Sequence, residues 1–169
     1  MKKFFVTLLS CSMFSSFAFI AHPAMAASDA SKVINGKEKN MNISEKIKVL
    51  QGKVKSLNDE KEGLDEKINV LYPKKKNQLI NQLNKLKNNK QIKDRNAKLD
   101  DIKSQIDQMK TAISNDKVLN DERKRLWDNY RVQQSQNNNN GVYNTLLLIK
   151  NNLEQAISLK QNLLDFLSS

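Results

Sequence analysis

The sequence predicts an all-α protein, either an antiparallel helical coiled-coil rod or a three- or four-helix bundle, with one long central helix. Three observations predict it. Apolar residues recur at steps of three and four through most of the chain, the spacing that places side chains on one stripe of a helix. Between Leu64 and Gln134 the only Pro or Gly is Pro73. Few alternations of the strand type are visible, and 169 residues are enough for one domain.

The opening stretch reads as an export signal. Lys2 and Lys3 supply a positive start, Phe4 to Ile20 is mostly apolar, and Pro23 precedes Ala24-Met25-Ala26, a small-x-small cleavage site. Cleavage is therefore expected between Ala26 and Ala27, with export by the Sec route to the periplasm, the cell surface or the medium. The apolar run approaches the length of a membrane span, but its early position and the site behind it favour removal. Leu8-Leu9-Ser10-Cys11 resembles the box before a lipidated bacterial cysteine, although Cys11 comes early and the apolar run continues past it.

Cleavage changes what the composition means. The only Cys, Cys11, and the only His, His22, both lie in the signal. A mature chain without them has no disulfide, no thiolate nucleophile, no His-containing triad and no His-bearing metal site. Carboxylates, Lys, Tyr and Ser remain, a thin basis for catalysis, so the expectation is a protein without enzymatic activity, cofactor or metal. Without Lys2 and Lys3, 27 Lys and Arg stand against 18 Asp and Glu, a net charge of +9.

Residues 27–41 show no sustained period and read as a flexible lead. The first helix is predicted over 42–72. Asn42 can cap its exposed amides while Glu45, three residues on, reaches back in a capping box. Ile43, Ile47, Leu50, Val54, Leu57, Lys61, Leu64, Ile68 and Leu71 then alternate steps of four and three. Gly52 and Gly63 weaken such a helix by about 1 kcal/mol each relative to Ala. Lys61, the one polar member, either sets register or lays an apolar stem along the seam with its ammonium in water. Tyr72-Pro73 is expected to end the helix, because the residue before Pro is pushed out of the α region and Pro suits the first turn of a new helix.

The second helix is predicted over 74–134 and, if unbroken, spans ~90 Å at the α-helical rise. Leu79, Leu83 and Leu86 form one apolar run. Ile92, Leu99, Ile102, Ile106, Met109 and Ile113 form another, with Arg95 at the core position its spacing predicts, and Leu119, Leu126 and Tyr130 form a third. Leu86 and Ile92 are six apart where seven would keep register. The polar patch at that slip marks a stutter or a break near 88–90, and Ser114-Asn115-Asp116 offers a second break near 114–116.

Residues 136–141, Gln-Asn-Asn-Asn-Asn-Gly, form the next turn signal. The last helix, 142–167, carries Val142, Leu146, Ile149, Leu153, Ala156, Lys160, Leu163 and Leu167 on its stripe, widened by Leu147, Leu148, Ile157, Leu164 and Phe166. A face that broad is expected to be buried between two neighbours. The functional alternative is docking to a partner helix or to a membrane surface.

Charge supplies the main functional clue. From 74 to 98 there are nine basic residues, Lys74, Lys75, Lys76, Lys85, Lys87, Lys90, Lys93, Arg95 and Lys98, against Asp94 alone. Such a patch attracts phosphate-bearing polymers, anionic lipid or acidic proteins, although a Lys- and Asn-rich composition alone could place lysines there. A second cluster, Arg123, Lys124, Arg125 and Arg131, lies beside Trp127 and Tyr130. Arg123, Trp127, Tyr130 and Arg131 form a candidate contact spot, the plainer reading being a tryptophan at the core edge packed by arginine stems. Asp59, Glu60, Glu62, Asp65, Glu66, Asp100, Asp101 and Asp107 avoid the apolar stripes and read as solvated faces.

The expected function is that of an exported, non-enzymatic coiled-coil protein serving as a protein-interaction or structural module at the bacterial cell envelope or outside the cell. A protein partner is expected; an anionic polymer, a lipid surface and a homo-oligomer remain open, and export argues against nucleic acid. In export signal, size, high pI and helical arms, the chain resembles small periplasmic holdase chaperones of the Skp kind. That resemblance implies client binding in a groove, and with membrane activity of the last helix it makes the alternative function. Those chaperones also have a β body built from both chain ends, whereas Ser31 to Gly36 is too short for one and the C-terminus here is helical, so no residue roles carry over.

Overall fold

The structure, a computed structural model, describes residues 41–169 apart from residue 90. The signal, its Ala26–Ala27 junction and residues 27–40 of the lead lie outside the described residues. What is described is a bundle of three helices, α1 (Ile43–Asn88), α2 (Arg95–Ser135) and α3 (Asn139–Ser168).

Each helix end has a chemical reason. At the start of α1 the Asn42 Oδ1 accepts from the Glu45 amide at 2.9 Å while the Glu45 carboxylate accepts from the Asn42 amide at 3.0 Å, so the capping box forms. The end of α1 is closed from across the turn. Arg95 Nε donates to the Leu86 carbonyl at 2.6 Å and its Nη2 donates to the Lys87 carbonyl at 3.2 Å, placing a cation on carbonyls that have no partner within the helix. Arg95 thus sits where its spacing predicted, but it serves as a cap. Asp94, just before α2, adopts a left-handed φ of 57°, and Asn137 in the second turn one of 54°; both residue types tolerate that region better than most. The Asn138 side chain caps α3 by accepting from the Gly141 amide. The asparagine tract therefore splits, with Asn137 and Asn138 in the turn and Asn139, Asn140 and Gly141 in the first turn of α3.

Two boundaries differ from those expected. α1 does not stop at Tyr72-Pro73; it continues through Pro73 for fifteen further residues to Asn88. Pro inside a helix forfeits one hydrogen bond and costs about 3 kcal/mol. The carbonyl left without a donor belongs to Asn69, and Asn69 and Pro73 both lie on the exposed side, so water can satisfy it. Continuing the helix keeps Leu79, Leu83 and Leu86 in the same seam as Ile68, and that burial outweighs the local penalty. The second helix is accordingly not one sixty-residue rod. The slip between Leu86 and Ile92 is a turn between two helices, whereas Ser114-Asn115-Asp116 lies inside continuous helix.

Pairwise contacts fix the arrangement. Tyr130 meets Gln51, Thr145 meets Asn129, Lys160 meets both Asp65 and Asp116, and Lys75 lies over the Phe166 ring. Hence α3 runs parallel to α1, α2 runs antiparallel to both, and α3 packs between them. Its broad apolar face is consumed there: Leu146, Ile149, Leu153 and Ala156 have no exposed surface. Because α3 ends near Lys75 of α1, the last three turns of α1 and the first turns of α2 pair only with each other. They form a two-helix tip ~20 Å long beyond the three-helix body.

Candidate functional site

Two features carry the chemistry of this molecule, a charged layer inside the body and a basic surface on the tip. The apolar core falls into two clusters along the axis. One gathers Leu50, Val54, Val142, Leu146, Ile149 and Leu153, with Leu126, Trp127 and Tyr130 against it; the other gathers Ile68, Leu79, Leu86, Ile102, Met109, Leu163 and Leu167. Between them each helix contributes charge. Lys160 of α3, only 4% exposed, places its Nζ 2.6 Å from Asp65 Oδ1 on α1 and 2.6 Å from Asp116 Oδ2 on α2. Lys61 Nζ holds the other Asp65 oxygen at 2.6 Å.

Two turns further along, Arg123 of α2 is buried and donates to Asn152 Oδ1 at 2.8 Å and to Asn120 Oδ1 at 3.1 Å. Asn152 in turn donates to the Leu119 carbonyl and to Glu122. Burial pushes the Asp65 carboxyl upward, but hydrogen bonds and charge from Lys160 and Lys61 outweigh it and hold the pKa below the usual aspartate value. Burial lowers the Arg123 pKa, and the negative charges of Asp116 and Asp65 offset part of that drop. Asp116 Oδ1 is buried with no hydrogen-bond partner. The layer binds three helices at one level and presents no nucleophile to an open cleft, so its chemistry is that of an internal tie.

The eight described members of the expected basic patch lie on the tip or at its base, where α3 ends. Lys74, Lys76, Lys85 and Lys87 are exposed along α1, Lys93 lies in the turn, and Lys98 lies on the first turns of α2. Lys75 is half-buried over Phe166, 5.5 Å from its centroid, Arg95 is occupied as the α1 cap, and Lys90 lies outside the described residues. An open depression at the end of the tip is lined by Asn81, Asn84, Lys85, Asn88, Asn89 and Ile92.

The four residues of the candidate contact spot are not gathered on one surface. Arg123 turns into the core, Trp127 and Tyr130 are half-buried and pack edge to face at 5.3 Å, and exposed Arg131 pairs with Asp128 at 3.3 Å. Tyr130 Oη accepts from Gln51 across to α1. Asp65, expected on a solvated face, belongs to the internal layer, and Asp121 pairs with Lys124 at 3.4 Å. Asp100 and Asp107 are exposed and bridge to Lys103 and Lys110. Among the described residues no group of carboxylates could hold a metal ion, and no helix is long and apolar enough to cross a membrane.

Sequence reasoning missed the layer, although a signal for it was present. Seven-residue steps from Arg95 through Ile102 and Met109 land on Asp116, Arg123 and Tyr130, which marks Asp116 and Arg123 as core positions. Lys61 and Lys160 occupy the equivalent seams of α1 and α3. Three helices each carrying charge at a seam position can satisfy one another only inside the bundle.

No protein family, curated protein or solved structure matches the chain.

Proposed function

We propose that the chain is an exported, non-enzymatic helical module, structural or partner-binding, that acts at the cell envelope or outside the cell and meets its partner through the two-helix tip. The observation that supports this most is the division of charge. Outside residues 74–98 the described residues hold 15 Lys and Arg against 15 Asp and Glu, whereas 74–98 carry nine against one. A neutral body satisfied by its own contacts has little to offer a ligand; a protruding cationic tip has an unmet electrostatic requirement. The holdase and membrane-active alternatives both need a free apolar lining. The best supplier is α3, whose stripe is already covered by α1 and α2, so either activity would first require α3 to leave the bundle.

The test is in-cell photo-cross-linking of a C-terminally tagged chain, with a photoreactive residue at Asn81 on the tip or at Lys117 on the body. The expected result is a processed chain beginning at Ala27, recovered outside the cytoplasm and forming adducts from position 81 but not from 117. An unprocessed cytoplasmic chain, or adducts from position 117 alone, overturns the reading.

A further inference from the structure

The exposed half of α1 within the tip has an order that a bias toward lysine does not produce. Asn77, Asn81, Asn84 and Asn88 recur at steps of four, three and four, and all four are exposed. This spacing puts their carboxamides in one row along the helix, directly opposite the buried seam of Leu79 and Leu86. Lys74 and Lys85 are eleven residues apart, as are Lys76 and Lys87; eleven residues are close to three turns, so each pair lies on one line ~16 Å long. One line flanks the asparagine row on each side. The floor of the open depression is built from the same row, with Asn81, Asn84 and Asn88 in its lining. Toward solvent, α1 in the tip therefore reads as a lysine line, a carboxamide row and a second lysine line, running together along the axis.

We propose that this surface binds a linear phosphate-bearing polyanion laid along the tip, which deepens the reading of the tip as the partner-binding end. The geometry favours an extended ligand, because the donors repeat along a line and do not converge on a point. The residue types favour phosphate over protein. The tip's exposed cations are all lysines, compact and strongly hydrated charges, while its one arginine is committed to the α1 cap. Protein interfaces instead concentrate arginine and aromatic anchors and are depleted in lysine, and the tip exposes no aromatic ring among the described residues. Insertion into a lipid surface needs apolar anchors beside the charge, and Ile80 is the only large apolar side chain standing exposed on the tip among the described residues. The carboxamides add N–H donors for phosphate oxygens between the lysines. Composition scatters lysine through the body as well, but outside residues 74–98 the described cations and acids are equal in number, 15 against 15.

The experiment is a titration of the purified mature protein into fluorescently labelled long-chain inorganic polyphosphate, read by anisotropy at several salt concentrations. Binding should weaken with salt at a log–log slope of about −4, from roughly 0.7 per neutralised charge over Lys74, Lys76, Lys85, Lys87, Lys93 and Lys98. Replacing Lys74, Lys76, Lys85 and Lys87 together by Gln should weaken it by at least about tenfold at fixed salt. The same change at four exposed body lysines, Lys48, Lys55, Lys67 and Lys117, should cost less than about threefold. Equal losses in the two variants, or no binding by the unaltered protein at low salt, overturn the proposal. So does polyglutamate binding as tightly as polyphosphate, which would make the partner an acidic protein segment, or binding to phosphatidylglycerol vesicles that polyphosphate does not displace. Export plays no part in this titration, so an unprocessed cytoplasmic chain would sink the earlier reading and leave this one standing.

Discussion

The body and the tip are built from the same helices and the same leucine-rich seams, yet they resolve charge in opposite ways. In the body a third helix roofs the α1–α2 groove, and charge there is drawn inward and paired: Lys160 bridges two aspartates and Arg123 is wrapped by Asn152 and Asn120. On the tip the third helix is gone and lysines face water; residues 74–98 carry nine cations and one acid in sequence, and exposed Asp100 and Asp101 follow in the second turn of α2. The difference teaches that α3 decides more than stability. Where it is present, a charge at a seam position must find a partner; where it ends, the same helices can carry unopposed charge at little cost.

The largest expected contrast comes from shaving one leucine in each region. Leu153→Ala, at a site with no exposed surface, should destabilise by about 3–4 kcal/mol, visible as a drop in the denaturation midpoint. Leu83→Ala, at a half-buried site on the tip, should cost about 1 kcal/mol by loss of partly buried methylenes. Native-state hydrogen exchange should find tip amides opening well before body amides; equal protection would mean that the two regions form one cooperative unit.

Removing the bridging ammonium should follow closely. Lys160→Met leaves Asp65 and Asp116 facing an apolar neighbour, at about 3 kcal/mol, the lower end for a broken buried pair because both carboxylates keep some contact with water. The same layer sets an acid limit. Asp65 has a folded pKa below its unfolded value near 3.8, so its contribution is complete above that value and is lost as pH falls through the folded pKa. Stability of the unaltered protein should therefore fall below about pH 4, and an Asp65→Asn variant should lose less over the same window. An identical acid profile for the two would remove Asp65 from the account.

The smallest effect tests the junction between the regions. Pro73 sits where α3 ends, on the exposed side of a continuous helix. Pro73→Ala restores the missing donor and should stabilise by about 1–2 kcal/mol, part of the roughly 3 kcal/mol helix penalty of proline. A loss of stability would show that the proline itself shapes the departure of the tip from the body.

Legibility in the sequence followed whether a signal was local or shared. The α3 stripe, the Asn42–Glu45 box and the slip at Leu86–Ile92 could be seen because each involves residues within one or two turns of one another. Pro73 misled because its local preference is strong and the opposing term, continued burial of Leu79 and Leu86 in the shared core, depends on partners elsewhere in the chain. Asp116 misled for the same reason: Ser-Asn-Asp is turn chemistry in isolation and a salt-bridge site only once Lys160 arrives from forty-four residues away. The basic stretch was plain as a count, but its division into a cap, a ring contact and two solvent-facing lines needed α2 and α3 in place.

The parallel pairing of α1 with α3 has a consequence for the order of assembly. A three-residue turn joins α2 to α3, whereas Leu50 on α1 reaches its neighbour Leu146 only after nearly a hundred intervening residues. Loop closure makes the first contact quick and the second slow. Short turns let the α2–α3 hairpin and the α1–α2 tip close early, and the N-terminal half of α1 docks on α3 last. A chain emerging from its N-terminus delivers that half earliest, so the first turns made are the last ones sheltered, and Leu50 and Val54 stay open to water or to an escort until the final helix is complete.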